Sequence, residues 1–226
     1  MTDGLLAENL DRVRAATSAA AARAGRDPET IRLIAVTKTV PLERIRDAIA
    51  LGLRTFGENR VQEAVPKIEA LATEECEWHL IGHLQRNKVK DVPGHFAMVQ
   101  SVDSARLVAA LGPRVGTPLD VLIEVNVGEE PQKTGARPAD VPLVAEAIRD
   151  HPTLRLRGLM TIAPLRPDPE SVRPFFRQLR ALRDQLQNSL GQALPELSMG
   201  MTDDYPAAIA EGATMLRLGR AIFGPR

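Results

Sequence analysis

The chain has 226 residues, an ordinary length for one α/β barrel, so a single domain over 1–226 is expected, with a core of Leu, Ile, Val and Ala because aromatics are only 3%. Lys plus Arg and Asp plus Glu each number 29, which excludes a net field drawing nucleic acid or an anionic membrane from a distance. Cys76 is the only cysteine, no run of ~18 apolar residues occurs and the N-terminus is acidic early, which excludes an internal disulfide or CxxC pair and predicts a cytoplasmic protein.

Leu5, Leu6, Leu10 and Val13 recur at roughly helical spacing and lead through an Ala-rich stretch to Gly25, which predicts an N-terminal helix capped there. From Leu33 onward, short β-branched runs alternate with helical stretches, the mark of stacked βα units around a parallel sheet. Strands are expected at 33–37, 54–56, 77–81, 97–102, 120–127, 156–162, 196–199 and 214–218. Helices are expected at 41–51, 59–71, 104–111, 138–149, 169–190 and 203–210, several opened by Pro or ended near Gly. Eight such units predict a TIM-type (β/α)8 barrel with an extra N-terminal helix. An open doubly wound sheet would read similarly, but no GxGxxG turn follows any strand.

In either architecture ligands bind at the carboxyl ends of the strands. The first strand runs into Thr37-Lys38-Thr39, and period-two alternation places Lys38 on the face of Ile34 and Val36. If that face is interior, Lys38 projects into the barrel mouth. Burying an ammonium lowers a lysine's pKa and yields the neutral amine that forms Schiff bases. By itself, however, a lysine after a strand is most often a surface residue.

The last two units supply the other evidence. Ser198-Met199-Gly200-Met201-Thr202-Asp203 runs from a strand to a helix start whose N-cap is expected at Thr202 or Asp203. Such a turn can hold a phosphate. Arg217 then shares a face with Met215, and Gly219 lets backbone approach an anion. Asp203 and Asp204, at a helix start, read as capping groups rather than general acids.

On the fifth strand Val121, Ile123, Val125 and Val127 form one apolar face, so Leu122, Glu124 and Asn126 share the other, with Glu124 inside the barrel. Those polar groups form either a structural network or a network beneath a ligand. His79 and His83 are four apart, but Gly82 interrupts a strand there, so the helical geometry for a shared metal fails. No GxSxG nucleophile motif occurs.

Ala35-Val36-Thr37-Lys38, Phe56-Gly57-Glu58-Asn59, Trp78-His79-Leu80-Ile81-Gly82 with Leu84-Gln85 and Asn87-Lys88, Arg157-Gly158-Leu159-Met160 and Leu197-Ser198-Met199-Gly200-Met201 are together highly specific. They resemble the pyridoxal phosphate homeostasis proteins, the YggS and PROSC-like family, over nearly the whole chain. The closing Arg217-Leu218-Gly219-Arg220-Ala221-Ile222-Phe223-Gly224 also resembles the corresponding strand of alanine racemase barrels.

The resemblance implies an alanine-racemase N-terminal barrel that binds pyridoxal 5′-phosphate (PLP) as an internal aldimine on Lys38. It also implies that Arg217 faces the pyridine nitrogen, that Ser198 and the backbone of Gly219 and Arg220 hold the phosphate, and that Asn59 lines the cofactor's side. An arginine beside that nitrogen weakens the ring as an electron sink. Two departures are visible, Arg60 where many members have Tyr and Arg220 where Thr is more usual.

Three functions compete on this reading. The resemblance implies a non-enzymatic PLP-binding protein that buffers the cofactor and contacts apo-enzymes transiently. The rival is a weak PLP-dependent amino-acid racemase. Alanine racemases draw an opposing tyrosine from a second domain across a dimer, whereas this chain stops after its last strand and its one tyrosine, Tyr205, opens a helix, so a monomeric binder is expected. A Schiff-base aldolase acting without PLP is the third.

Overall fold

The computed structural model describes residues 4–164, 166 and 168–225; Met1 to Asp3 of the N-terminal reading lie outside them. Eight parallel strands, β1 (Arg32–Val36), β2 (Thr55–Glu58), β3 (Glu77–Leu80), β4 (Met98–Val102), β5 (Leu119–Glu124), β6 (Leu154–Met160), β7 (Glu196–Ser198) and β8 (Met215–Leu218), close into a barrel in chain order. Closure is made by β8 against β1, with Arg32 opposite Met215 and Ile34 opposite Arg217. The open doubly wound sheet is thereby excluded.

The helices are α1 (Gly4–Arg23), α2 (Leu42–Ala50), α3 (Val61–Ala70), α4 (Ala105–Leu111), α5 (Val141–Arg149), α6 (Arg173–Leu190), α7 (Tyr205–Ala210) and α8 (Arg220–Phe223). The N-terminal α1 ends where Gly25 takes φ +65°, as its position predicts. It packs chiefly on α7 and α8, where buried Asn9 donates to the Ile222 carbonyl at 3.0 Å. The single turn of α8 was not expected, because four residues carry no helical period.

Two apolar layers divide the core. Ile34, Met98, Leu122, Met160 and Met215 fill the barrel interior, while Val121, Ile123, Val125 and Val127 belong to the larger cluster between strands and helices. The alternation read along the fifth strand therefore sorts its two faces as expected. Where β6 meets β7 a side chain would be intolerable: a Cβ on Gly158, at φ +156°, would sit 1.9 Å from the Glu196 carbonyl oxygen.

Most strand bounds shift by one or two residues from expectation, β6 running over Leu154–Met160 rather than 156–162, and two of the shifts have a visible reason. β2 continues to Glu58 because Thr37 and Lys67 bond its Oε1 from outside the barrel, which apolar patterning does not reveal. β5 stops at Glu124 rather than at 127 because the chain folds back: Ala136 N–H donates to the Glu124 carbonyl at 2.8 Å and Asn126 N–H to the Ala136 carbonyl at 2.9 Å. This return passes through Gly135 at φ +107°, where a Cβ would lie 2.7 Å from the Asn126 nitrogen. Among the described residues no helix is long and apolar enough to cross a membrane.

Candidate functional site

At the carboxyl ends of the strands a cavity of about 380 Å³ is lined by Lys38, Asn59, Arg217, Gly219 and Arg220, together with Val36, Ile81, Gly82, His83, Glu124, Thr134, Ile162, Met201, Thr202 and Asp203. Its size suits a small ligand. A larger recess of about 610 Å³ adjoins it through Asn59, Gly82 and His83, with Arg60 and Lys88 on its walls. Although larger, the recess shares only Asn59 with the cofactor-binding residues expected from the resemblance.

Lys38 sits just beyond β1 in a turn, half-buried rather than enclosed. The turn itself is clamped from the helix side. Thr37 donates from Oγ1 to Glu58 Oε1 at 2.7 Å, and Lys67 on α3 donates to both the Thr37 carbonyl and Glu58 Oε1 at 2.7 Å. Glu58 has no exposed surface, so this ion pair is held in a low dielectric and would be costly to break by removing one partner. Next to Lys38, Thr39 adopts φ +62°, strained for a β-branched residue. Clamp and strain together fix where the lysine leaves the backbone.

Arg217 reaches the cavity from inside the barrel with only 4% of its surface exposed. Burial pushes its pKa down to about 10, opposed by Asp204 and Glu124, so it stays cationic at neutral pH. Its Nη1 donates to Ser198 Oγ at 2.6 Å and its Nη2 to the Thr161 carbonyl at 2.7 Å. Ser198 Oγ in turn donates to Gln100 Oε1 at 2.6 Å, and Gln100 Nε2 donates to His79 Nδ1 at 2.9 Å. A continuous polar chain thus threads the barrel and orients the arginine from below.

This chain requires a neutral His79. Burial lowers its pKa to about 3, with Arg32 adding to the effect, and the accepting Nδ1 places the ring proton on Nε2. Because the folded value lies below the unfolded one, its contribution to stability is present above pH ~6.5 and is lost as pH falls towards 3. Between pH 7 and 4 urea denaturation of the wild type should therefore lose about 3 kcal/mol more than the same titration of His79→Asn. Parallel losses would show that the imidazole protonates freely in the folded state.

Other residues singled out from the sequence divide clearly. Ser198 has no exposed surface and is not on the cavity wall; it stands behind Arg217. The hydroxyl that opens there is Thr202, whose Oγ1 also accepts from Ala221 N–H at 3.3 Å and joins the last two loops. Asp203 pairs with Arg220 on the exposed rim. Asp204 precedes α7 without capping it by its side chain; its carboxylate accepts from Met201 N–H at 2.6 Å instead, and burial raises its pKa.

Asn126 leaves the interior network altogether, binding Glu130 through both its amide groups at 2.8 and 3.1 Å. His83, weighed from the sequence only as a metal ligand, lies on the cavity rim 3.2 Å from Asp103. A histidine four residues from another drew attention to metals and hid this role. Gly82 matters for a different reason: any Cβ there would lie 2.4 Å from the Asn59 carbonyl oxygen, so glycine lets Asn59 close on the site. Tyr205 lies on α7, half-buried and away from the cavity wall.

A closed parallel barrel with a lysine after β1 and an arginine on β8 defines a class, and the family model described as "Alanine racemase, N-terminal domain" matches residues 8–226. Solved barrels agree. The structure of a protein of unknown function from Bifidobacterium adolescentis is 38% identical with a TM-score of 0.91, covering 96% of this chain and 94% of that one. PipY of Synechococcus elongatus, solved with PLP bound, is 37% identical with a TM-score of 0.84, covering 97% and 100%. A D-threonine aldolase from Filomicrobium marinum, 18% identical with a TM-score of 0.78 over 99% of this chain and 61% of that one, shares the fold alone.

Among curated relatives, the pyridoxal phosphate homeostasis proteins of Aquifex aeolicus and Pseudomonas aeruginosa are 46% and 45% identical over 222 and 224 residues. These matches cover 97% and 98% of this chain, and 97% and 96% of the relatives. The chain belongs to the pyridoxal phosphate homeostasis protein family. Its relatives carry the name of a homeostasis function and not of an enzyme.

Proposed function

We propose that this protein binds PLP in the barrel-mouth cavity, holds it as a Schiff base on Lys38 and serves to store and hand over the cofactor in the cytoplasm. The observation that carries this reading is the meeting of Lys38, Asn59, Arg217, Gly219 and Arg220 on one cavity. The residues fit the group: an amine for its aldehyde, cationic side chains for an anionic ligand, and a buried Glu124 oxygen that lacks a partner among the described residues.

When bound, PLP supplies an electrophilic aldehyde and an electron-withdrawing ring. The chain does the rest. Lys38 supplies the attacking amine, and the Thr37, Glu58 and Lys67 clamp holds its turn in place. Arg217, held by Ser198, brings positive charge to the wall and disfavours protonation of a nearby ring nitrogen, which suits retention better than carbanion chemistry. Gly219, Arg220 and Thr202 border the end where a phosphate would sit, while Ser198, expected there, acts by holding Arg217. The protein would do this as a monomer.

Intact mass after borohydride reduction, followed by peptide mapping, tests the assignment. One reduced pyridoxyl adduct on Lys38 is expected. A protein that gains no adduct, or carries it only on another lysine, would overturn the reading.

A racemase reading gains one observation, the His83 and Asp103 pair on the cavity rim. His83 is the imidazole on that wall that could serve as second base, Tyr205 being off it. Half its side chain is open to water, however, at 48% exposure, which suits proton exchange with solvent rather than stereospecific return. Incubation with L-alanine should therefore produce negligible D-alanine while the loaded protein restores activity to an apo-transaminase. Steady multiple-turnover racemisation abolished by His83→Ala would decide for the enzyme.

A further inference from the structure

Glu124 is the least expected residue of the cavity. It ends β5 with 3% exposure, lines the main cavity, and also borders a smaller one of about 260 Å³ beneath Ile162 with Lys133 and Thr134. Thr134 Oγ1 donates to its Oε1 at 2.7 Å. Oε2 is buried without a hydrogen-bond partner among the described residues.

A lone carboxylate oxygen in a buried site loses its hydration with nothing in return. Protonated, the same oxygen becomes a donor in search of an acceptor. Burial does raise the Glu124 pKa, opposed by the Thr134 hydrogen bond, reinforced by Asp103 and opposed further by Arg217 and His83. Around the cavity the charged and titratable groups are Lys38 after β1, His83 after β3, Asp103 after β4, Lys133 on the loop after β5, Asp203 after β7, and Arg217 and Arg220 from β8 and α8. An ionised Glu124 among them would oppose an anionic ligand, whereas the neutral acid can donate to one. Carboxyl groups kept neutral in order to donate are known in enzyme sites.

Resting on the reading that this cavity takes PLP, we propose that Glu124 is a binding residue that keeps a proton on its carboxyl group and donates a hydrogen bond to the bound cofactor, so that retention weakens when Glu124 ionises. The ligand is thus selected by a donor hidden in an acidic residue. On ionisation the proton passes to solvent and the ligand meets a negative charge in place of a donor.

The test compares the full-length wild type, Glu124→Gln and Glu124→Leu from pH 6 to 9, measuring PLP dissociation into a trap and, without ligand, thermal melting. Gln keeps a neutral donor, so retention by this variant should match the wild type within about twofold at the acid end of the range and exceed it about tenfold where Glu124 has ionised. Leu should release PLP about tenfold faster than Gln at every pH. The ionisation of PLP itself is common to all three proteins and cancels. Without ligand, a raised folded pKa means stability that is full at low pH and lost as pH rises through that value, so wild-type melting should fall relative to Gln with rising pH.

Wild type and Gln parallel in retention, or Leu retaining PLP as well as Gln, would overturn the role of Glu124 and leave the cofactor site standing. A wild type that takes up no PLP at any pH while its ligand-free melting still diverges from Gln would overturn the site reading and this role with it.

Discussion

Lys38→Ala is expected to abolish the borohydride-stable PLP adduct and leave the barrel folded. The side chain stands at the mouth, half-buried, and belongs to neither apolar cluster, so its truncation opens no core cavity and should change stability by less than about 1 kcal/mol. Far-ultraviolet circular dichroism and thermal melting report the fold, and intact mass after reduction reports the adduct. A variant that still gains the full adduct would move the covalent site elsewhere. Lys88, on the wall of the adjoining recess, and Lys90, exposed on the same turn, are then the lysines to map first. Lys67 is committed to Glu58 and the Thr37 carbonyl.

The second large effect is expected at Arg217. Replacement by Ala removes a buried cation that joins Ser198 and the Thr161 carbonyl, leaving an acceptor unsatisfied and a cavity wall without charge. Charged hydrogen bonds of this kind are worth about 1.5–3 kcal/mol each, so PLP should dissociate about a hundredfold faster, while Lys38 can still form its adduct. Arg217→Glu should be worse, because it puts a carboxylate in place of a cation beside an anionic ligand. Arg217→Lys should fall between, keeping charge but losing the fork that reaches two acceptors at once. An unchanged dissociation rate in Arg217→Ala would remove the arginine from the binding wall. Stopped-flow release into an excess of apo-enzyme measures all three variants on the same scale.

Both predictions rest on residues visible in the chain before any fold was known, and the reason is geometric. Alternation along a strand has a period of two, so Lys38 had to share a side with Ile34 and Val36, and Arg217 with Met215. Parallel strands joined by helices put their carboxyl ends at one mouth, which gathers Lys38, Arg217 and Gly219, while Asn59 and Arg220 were added by the family resemblance. Gly25 could likewise be read as the end of α1 because few other residues tolerate the φ it takes.

Depth within the barrel was a different matter. Alternation says which face a residue occupies, but the stagger between tilted strands decides at what level its side chain arrives. Ser198 and Thr202 are four residues apart, yet one lies sealed behind Arg217 and the other opens on the cavity. The chain from Arg217 through Ser198 and Gln100 to His79 joins residues 19, 98 and 21 positions apart, separations that leave no mark on local patterning.

The same holds where polar groups choose partners. Asn126 turns to its own loop while Glu124, two residues earlier, stays on the cavity with one oxygen unpaired, because the return through Gly135 pulls the backbone away between them. Glu58 could end a strand fully buried only because Lys67 arrives from α3. The approximate strands and the placing of Lys38, Arg217 and Gly219 at the mouth were therefore determined by local covalent geometry and side-chain polarity along the chain. Which of those residues meet a ligand, and which hold another in place, was decided only when the barrel closed and set their heights against one another.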